Sequence, residues 1–173
     1  MTTTELKTTT PEEGLQALEH LLKNLKFGML TAVHGGVLRA RPMTLLQCQA
    51  DGNLWFLTSK TTSLVPDIEN DARVNVSFSG GGGEQQGFVS VSGRARLTND
   101  RAKLEELWNP AFVTWFPEGL DDPNLSLLRI EAESAESWNT LHGAFTVLFG
   151  IIKAIATGEP ARPVSDHVKL ELK

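Results

Sequence analysis

The sequence predicts a mostly β protein with flanking helices, an α+β fold whose sheet is antiparallel. Residues 27–34 and 37–47 are predicted strands joined by Gly35-Gly36, a two-residue turn that hairpins favour. Residues 73–79 and 88–98 alternate apolar and polar side chains, as strands with one buried and one solvated face do. The predicted helices are short, and each has its own N-terminal signal.

Two more strands bring the predicted number to six. Residues 53–59 read NLWFLTS and residues 125–131 read LSLLRIE, both bounded by polar or turn-forming residues. On residues 88–98 the outward positions are polar, and they are expected to face water or to line a cleft: Ser90, Ser92, Arg94 and Arg96.

Three helices accompany these strands. The first begins with a capping box of Thr10, Pro11 and Glu13 and extends to residue 24 or 25, with a leucine stripe that packs on the sheet (Leu15, Leu18, Leu22, Leu25). Another begins at residue 99 or 100 and ends near Trp108. The segment after it, NPAFVTWFPEGLDDPN, is expected to be a loop with one helical turn.

Composition limits the class of protein. A chain of 173 residues is expected to form one domain with a real core. The net charge of −5 argues against a nucleic-acid binder, which normally has a basic face. Cys48 is the single cysteine, so no internal disulfide can form. Residues 1–10 are polar and threonine-rich without a signal peptide's apolar core, and we expect a disordered leader on a cytoplasmic protein.

The second strand carries two arginines among apolar neighbours. Period-two counting places Arg39 and Arg41 on the face that also bears Val37, Met43 and Leu45. A guanidinium in such a position needs an anionic partner, because its planar fork matches carboxylate and phosphate groups. The partner is either an acid of the chain or a bound ligand, and the following sequence favours a ligand.

A corner of hydroxyl groups with one lysine follows the third strand and opens a helix. We expect the helix over residues 63–70, because Pro66 is tolerated only in a first turn. Unpaired amides at that helix start could bind a phosphate. The alternative is an ordinary N-cap by Thr62 or Ser63, which is the commoner arrangement. The corner comprises Thr58, Ser59, Lys60, Thr61, Thr62 and Ser63.

The order of these segments resembles a known family. The series is LRARPMTLL, NLWFLTS, DIENDARVNVSFS, FVSVSGRARLTND and LEELWNP…WFPEG. It is similar to the pyridoxamine-phosphate-oxidase-like flavin-binding split barrels, above all to the bacterial general stress proteins, over roughly residues 15–139. The resemblance implies a six-stranded antiparallel split barrel that forms a homodimer and binds FMN in a cleft between the subunits.

The family pattern also implies which residues contact the flavin. Arg41 matches the arginine at the phosphate, and Met43 and Thr44 match the backbone along the ring. The end of the next strand matches at Leu57, Thr58 and Ser59. Trp138, in AESWN, resembles the family segment AEYW at the edge of the cleft. Trp108, Trp115 and Phe116 are instead expected in the core or the dimer interface, where large aromatic residues are common.

Two departures from the family pattern concern the predicted phosphate contact and the predicted reaction. Leu64 stands where the family places a phosphate-binding lysine, and losing a charge-assisted contact costs about 1.5–3 kcal/mol. Lys60, the hydroxyls of Thr61, Thr62 and Ser63, and helix amides are the candidates to compensate. The tail HVKLELK also lacks the arginine-bearing motif of true pyridoxamine phosphate oxidases.

The expected function is therefore an FMN-binding general stress protein, with flavin-dependent oxidoreductase activity on a small molecule as the expected chemistry. The alternatives are a weakly flavin-binding or cofactor-free dimeric barrel that acts as a binding or scaffold protein, and a deazaflavin- or haem-binding relative. For haem, His167 is the one loose candidate ligand. The histidines and Cys48 have no metal-ligand spacing, so no metal site is predicted.

The remaining segments lie between and after these elements. The glycine run at 80–83 is interpreted as part of a flexible loop, since it lacks the Gly-Lys-Ser/Thr ending of a phosphate-binding loop. Residues 11–140 form the predicted barrel domain, and 141–158 a docking helix. Its apolar positions (within 142–157) are expected to pack against the partner subunit rather than a membrane surface, and the segment is too short to span a bilayer. Residues 159–173 are an expected extended, exposed tail.

Overall fold

The computed structural model describes residues 11–23, 25–80, 87–139 and 167–172. Within them lie three helices and seven strands. In chain order these are α1 (Pro11–Leu22), β1 (Phe27–His34), β2 (Val37–Cys48), β3 (Asn53–Ser59), α2 (Leu64–Asn70), β4 (Arg73–Gly80), β5 (Gly87–Thr98), α3 (Arg101–Leu107), β6 (Leu125–Asn139) and β7 (His167–Glu171). Two short 3₁₀ turns, Pro110–Thr114 and Gly119–Asp121, connect α3 to β6.

Six strands close into an antiparallel barrel. The strand order is β3-β2-β1-β4-β5-β6, and β6 closes the ring by pairing with β3 from Leu125 to Glu131. The second half of β6 leaves the ring and pairs with β7 from Ser134 to Trp138. The predicted six-stranded α+β split barrel is confirmed, and β7 is an addition to it.

The barrel is split between β2 and β3. These strands pair only near the end of β2, where Leu45 lies opposite Phe56 and Cys48 opposite Leu54. Before Leu45, β2 keeps β1 as its neighbour, and its other side has no strand partner among the described residues. This gap is the split, defined hereafter by residues 37–44 of β2 and 57–59 of β3.

Apolar side chains fill the barrel because inward positions alternate along each strand. The largest fully buried members are Phe56, Phe78, Leu18, Leu30, Leu54, Leu64, Leu128, Ile130, Val76 and Val91. α1 adds Leu18 and Leu22 to this core, as its leucine stripe predicts. A second cluster lies under α3 and includes Trp55, Leu104 and Phe116.

Several predicted boundaries agree with the structure, and two regions differ. β1 and β3 have the predicted ends, whereas β6 continues eight residues past the predicted end at residue 131. The tail was expected to be exposed, yet residues 167–171 form β7 and Leu172 is buried in the core. Residues 1–10, the glycine-rich segment 81–86 and the predicted docking helix at 142–157 lie outside the described residues. None of the three described helices has the length and apolar character that a bilayer crossing requires.

Candidate functional site

Arg41 lies on the inward side of β2, at the split. Its Cα is paired with that of Leu30, which is fully buried, and Leu30 is paired with Val76 of β4. Residues opposite one another in neighbouring strands share a face of the sheet. Arg41 therefore projects from the core face, but at a part of β2 that no strand covers on its second side.

The guanidinium of Arg41 contacts a carboxylate of the chain itself. Its Nη2 donates to Oδ2 of Asp67, in α2, at 3.1 Å. Oδ1 of the same carboxylate accepts a 2.7 Å hydrogen bond from Nδ1 of His34, at the end of β1. The side chain of Asp67 is only 6% exposed, while those of Arg41 and His34 are 21% and 39% exposed. We call these three residues the Arg41 cluster.

The surroundings of Asp67 favour its ionised form. The hydrogen bond from His34 is the largest cause that lowers the pKa of this carboxyl, and the bond from Arg41 acts in the same direction. Burial opposes both, because it disfavours the charged form. The cluster thus contains an anion that is already neutralised by at least one cation.

This contact decides between the two partners that the sequence left open for Arg41. An internal acid, not a ligand, occupies one nitrogen of the guanidinium. Arginine has five N–H donors, however, and the remaining donors of Arg41 have no protein partner within the described residues. The side chain is anchored at one point and keeps part of its fork available.

The predicted flavin-contacting backbone lies along the split. Met43 and Thr44 belong to the stretch of β2 that has no second strand partner. Leu57, Thr58 and Ser59 stand on the other side, where β3 pairs with β6 alone. Thr58 is buried, and its hydroxyl finds no hydrogen-bond partner in the described part of the chain. A buried polar group without a partner is unusual and is consistent with a ligand position.

The hydroxyl corner is bonded mostly to itself. The hydroxyl of Ser59 lies 2.9 Å from that of Thr61, and Thr62 donates its hydroxyl to the main-chain oxygen of Ser59 at 3.1 Å. Ser63 precedes α2 without forming a side-chain cap. The ordinary N-cap proposed for Ser63 is therefore not formed.

The hydroxyl corner supplies no cation to a phosphate at the split. Lys60 donates its Nζ to the main-chain oxygen of Pro123 at 3.0 Å, so it does not compensate for the missing family lysine in this conformation. Leu64, which stands at the family's lysine position, is 1% exposed and belongs to the barrel core. Among the described residues, Arg39 and Arg41 of β2 are the other cations at the split, and Arg41 is the less exposed of the two.

Trp138 lies away from this group. It is in the second half of β6, beyond the part that pairs with β3. Its neighbours across the strands are Phe88 of β5 and His167 of β7. Within one chain, the structure brings together the predicted residues of β2 and β3 but not Trp138.

A separate cavity of about 430 Å³ lies between α1 and β2. It is lined by Gln16, Glu19, His20, Leu22, Lys23, Leu25, Lys26, Leu45, Leu46, Gln47 and Cys48, none of which was predicted to contact the flavin.

Burial and nearby acids raise the pKa of the Cys48 thiol to about 12, which makes it a poor nucleophile. In the described part of the chain, no group of three or more metal-binding side chains comes together.

Sequence reasoning missed His34 and Asp67. A signal for Asp67 was present, because Leu64, Asp67 and Ile68 form the buried stripe of α2 at helical spacing. An acid on such a stripe needs a partner. His34 had no comparable signal, since it stands next to an exposed hairpin turn.

The geometry so far defines a split-barrel protein with an arginine, held by an internal carboxylate, at the opening between two strands. A model of the family described as "Pyridoxamine 5'-phosphate oxidase like" matches residues 13–161. General stress protein 26 of Bacillus subtilis is 33% identical over 129 residues, which are 72% of this chain and 87% of that protein. The chain belongs to the pyridoxamine 5'-phosphate oxidase-like family, in its general stress protein branch.

Solved structures agree with this placement. The general stress FMN/FAD binding protein from Xanthomonas citri is 35% identical, with a TM-score of 0.60 over 78% of this chain and 91% of that chain. General stress protein 26 from Bacillus anthracis has a TM-score of 0.63 at 21% identity, covering 71% of this chain and 92% of that chain, and shows the shared fold.

Proposed function

We propose that this protein binds FMN at the split between β2 and β3. The observation that carries the proposal is Arg41, anchored at one nitrogen with its other donors available beside an open stretch of strand. The buried hydroxyl of Thr58, which has no partner among the described residues, fits a ligand at the same place. The 35% identical Xanthomonas citri protein, described as FMN/FAD binding, adds support.

The residues around the split would divide the work of binding. Arg41 would donate charge-assisted hydrogen bonds to the phosphate. The main chain at Met43 and Thr44 and the strand end at Leu57, Thr58 and Ser59 would orient the ring and exclude water on either side. A bound flavin would supply the electron-transfer chemistry, while the protein positions it and sets its electrostatics. We propose oxidoreductase activity on a small molecule on this basis.

We further propose that the protein is a homodimer that associates through the outer face of the barrel. Phe27, Phe88 and Trp138 are 73%, 47% and 40% exposed and lie at one level of the barrel surface. Phe27 is paired with Thr44, so this aromatic row reaches the strand that borders the split. A second copy of the chain would bury the row and could bring its Trp138 toward the flavin, as the family pattern implies.

A second candidate function is a barrel without a cofactor that acts as a binding or scaffold protein. The observation that favours it is that the hydroxyl corner supplies no cation, because Leu64 is a core residue and Lys60 is turned toward Pro123. Asp67 adds a negative charge next to Arg41. A titration with FMN separates the flavin-binding protein from the cofactor-free barrel.

The test is a titration of FMN with the purified protein, followed by flavin fluorescence and visible absorbance. We expect quenching and a shifted absorbance band for the wild type, and Arg41→Ala should weaken binding by about ten- to a hundredfold through loss of charge-assisted bonds. Arg73→Ala is the matched control, since Arg73 is an exposed arginine of β4, away from the split, whose guanidinium is paired with Asp71. FMN that remains free with the wild type would favour the cofactor-free barrel.

The dimer is tested by analytical ultracentrifugation. Phe88→Ser combined with Phe27→Ser should shift the protein toward monomer, because both changes remove apolar area from the aromatic row. Val113→Ser changes an exposed apolar residue on a 3₁₀ turn and serves as the control. A wild type that sediments as a monomer at micromolar concentration would reject this part of the proposal.

A further inference from the structure

Asp67 is a buried carboxylate that flavin binding does not by itself require. Each of its oxygens accepts one hydrogen bond, Oδ1 from His34 and Oδ2 from Arg41. The two donors come from the neighbouring strands β1 and β2, whereas Asp67 comes from α2, which packs on β1 and β5. The carboxylate is thus fixed on both sides, and it in turn fixes one nitrogen of the guanidinium.

We propose that Asp67 is a positioning residue for Arg41, which it holds so that the remaining guanidinium donors face a phosphate group of the ligand. This inference rests on the proposed flavin function and adds to it the residue that prepares the phosphate contact. His34 contributes by holding the other carboxylate oxygen.

The physical reason for this role is that Asp67 orders the Arg41 side chain before the ligand binds. A free arginine side chain has many rotamers, and it loses that freedom when it grips a ligand. Arg41 has already lost much of it, because a buried acid holds one end of its fork. Binding then costs less, which is the general advantage of a preorganised site.

A negative charge beside an anion site also has an unfavourable side. The carboxylate of Asp67 repels an incoming phosphate, and it occupies a donor that the phosphate could otherwise use. Asp67 can therefore aid binding by positioning Arg41, or oppose it by competing with the phosphate for Arg41. These two effects predict opposite results when the Asp67 side chain is removed. The loss of Asp67 weakens phosphate binding if positioning dominates, and strengthens it if competition dominates.

The experiment compares FMN with riboflavin, which has the same ring and no phosphate. The ratio of the two affinities isolates the phosphate contribution, and a variant that merely folds less well lowers both affinities without changing the ratio. The proteins are the full-length wild type, Asp67→Ala, Asp67→Asn and Arg41→Ala. Glu69→Ala, at an exposed position of α2, is the matched control.

We expect the wild type to bind FMN at least about tenfold more tightly than riboflavin, and Arg41→Ala to bring the ratio close to one. Asp67→Ala should lower the ratio by about tenfold with little change for riboflavin. Asp67→Asn should keep it within about threefold, because an amide oxygen can still accept from Arg41 while its nitrogen donates to the other tautomer of His34. Glu69→Ala should match the wild type.

The outcomes separate this inference from the function on which it rests. If neither flavin binds to the wild type, the proposed function fails and the inference fails with it. If both flavins bind but Asp67→Ala keeps or raises the ratio, flavin binding stands and the positioning role is overturned. A ratio as low in Asp67→Asn as in Asp67→Ala would also overturn it.

Discussion

Gly93 lies directly against the main-chain carbonyl of Glu131, and a Cβ atom on this glycine would overlap the oxygen. The contact is at the bulge where the register of β5 against β6 shifts, between Ser92 and Gly93. Before this point β6 pairs with β3, and beyond it β6 pairs with β7. The close approach therefore accompanies the change of partner that lets β6 both close the barrel and extend past it.

Gly93→Ala should destabilise the fold, because the new methyl group meets main-chain atoms that cannot move aside as a side chain can. We expect the free energy of unfolding to fall by about 2–3 kcal/mol, as in overpacked cores. Urea denaturation followed by tryptophan fluorescence measures the change. Ser79→Ala, at an exposed position of β4, should stay close to the wild type; equal stability of both variants would contradict the close contact.

Ser63→Lys should strengthen FMN binding by about tenfold. Leu64, at the position of the family lysine, is a core residue, so a cation there would be buried, whereas Ser63 is exposed and makes no cap. A lysine at the exposed position could donate a charge-assisted hydrogen bond to the phosphate. Isothermal titration at low and high salt measures the gain, which should shrink as salt rises.

Asn70→Lys is the control for that variant, because it adds the same charge at the opposite end of α2. If both lysines improve binding equally, the effect is one of net charge and the phosphate does not lie at the hydroxyl corner.

Acid should destabilise the wild type more steeply than Asp67→Asn. The folded state lowers the pKa of the Asp67 carboxyl from its ordinary value of 3.8, chiefly through the hydrogen bond from His34. The ionised carboxylate therefore stabilises the fold at pH values above that ordinary pKa. That contribution is lost as pH falls below about 4 through the lowered pKa. Asp67→Asn removes it at every pH, so the variant should be less stable at neutral pH and lose less below pH 4.

Thermal unfolding between pH 7 and pH 3 tests this expectation. Glu69→Gln changes an exposed acid of the same helix and should follow the wild type. Parallel acid curves for the wild type and Asp67→Asn would show that this carboxylate does not couple folding to protons.

The Cys48 thiol should resist alkylation in the folded protein. Its pKa, raised to about 12 chiefly by burial, leaves little thiolate at pH 8. We expect iodoacetamide to modify native protein about tenfold or more slowly than protein in denaturant, as followed by intact mass. Comparable rates in both states would mean that the thiol is more accessible and more acidic than its surroundings imply.

Local patterns predicted much of the barrel. The hairpin of β1 and β2 follows from two glycines between alternating strands, and β3 from a short run of apolar residues. The full length of β6 could not be predicted in this way, because residues 132–139 are rich in Glu, Ser and Ala, which have little β propensity. Their strand conformation depends on pairing with β5 and β7, which are distant in sequence.

The site was predictable to a similar degree. The arginine of β2 and the strand end at Thr58 could be located from segment order. The internal partner of Arg41 could not, because Asp67 reaches it only after α2 packs on β1. The direction of Lys60 likewise depends on a turn at Pro123, more than sixty residues further along the chain.

β7 has a further consequence for how the protein behaves at high concentration. From Ser134 to Trp138, β6 extends past the barrel, and β7 covers its outer main-chain groups. An uncovered strand of this kind recruits strands from other molecules and promotes aggregation. A chain truncated before His167 would expose the main-chain groups of this part of β6 next to Trp138. β7 therefore protects the protein from uncontrolled self-assembly.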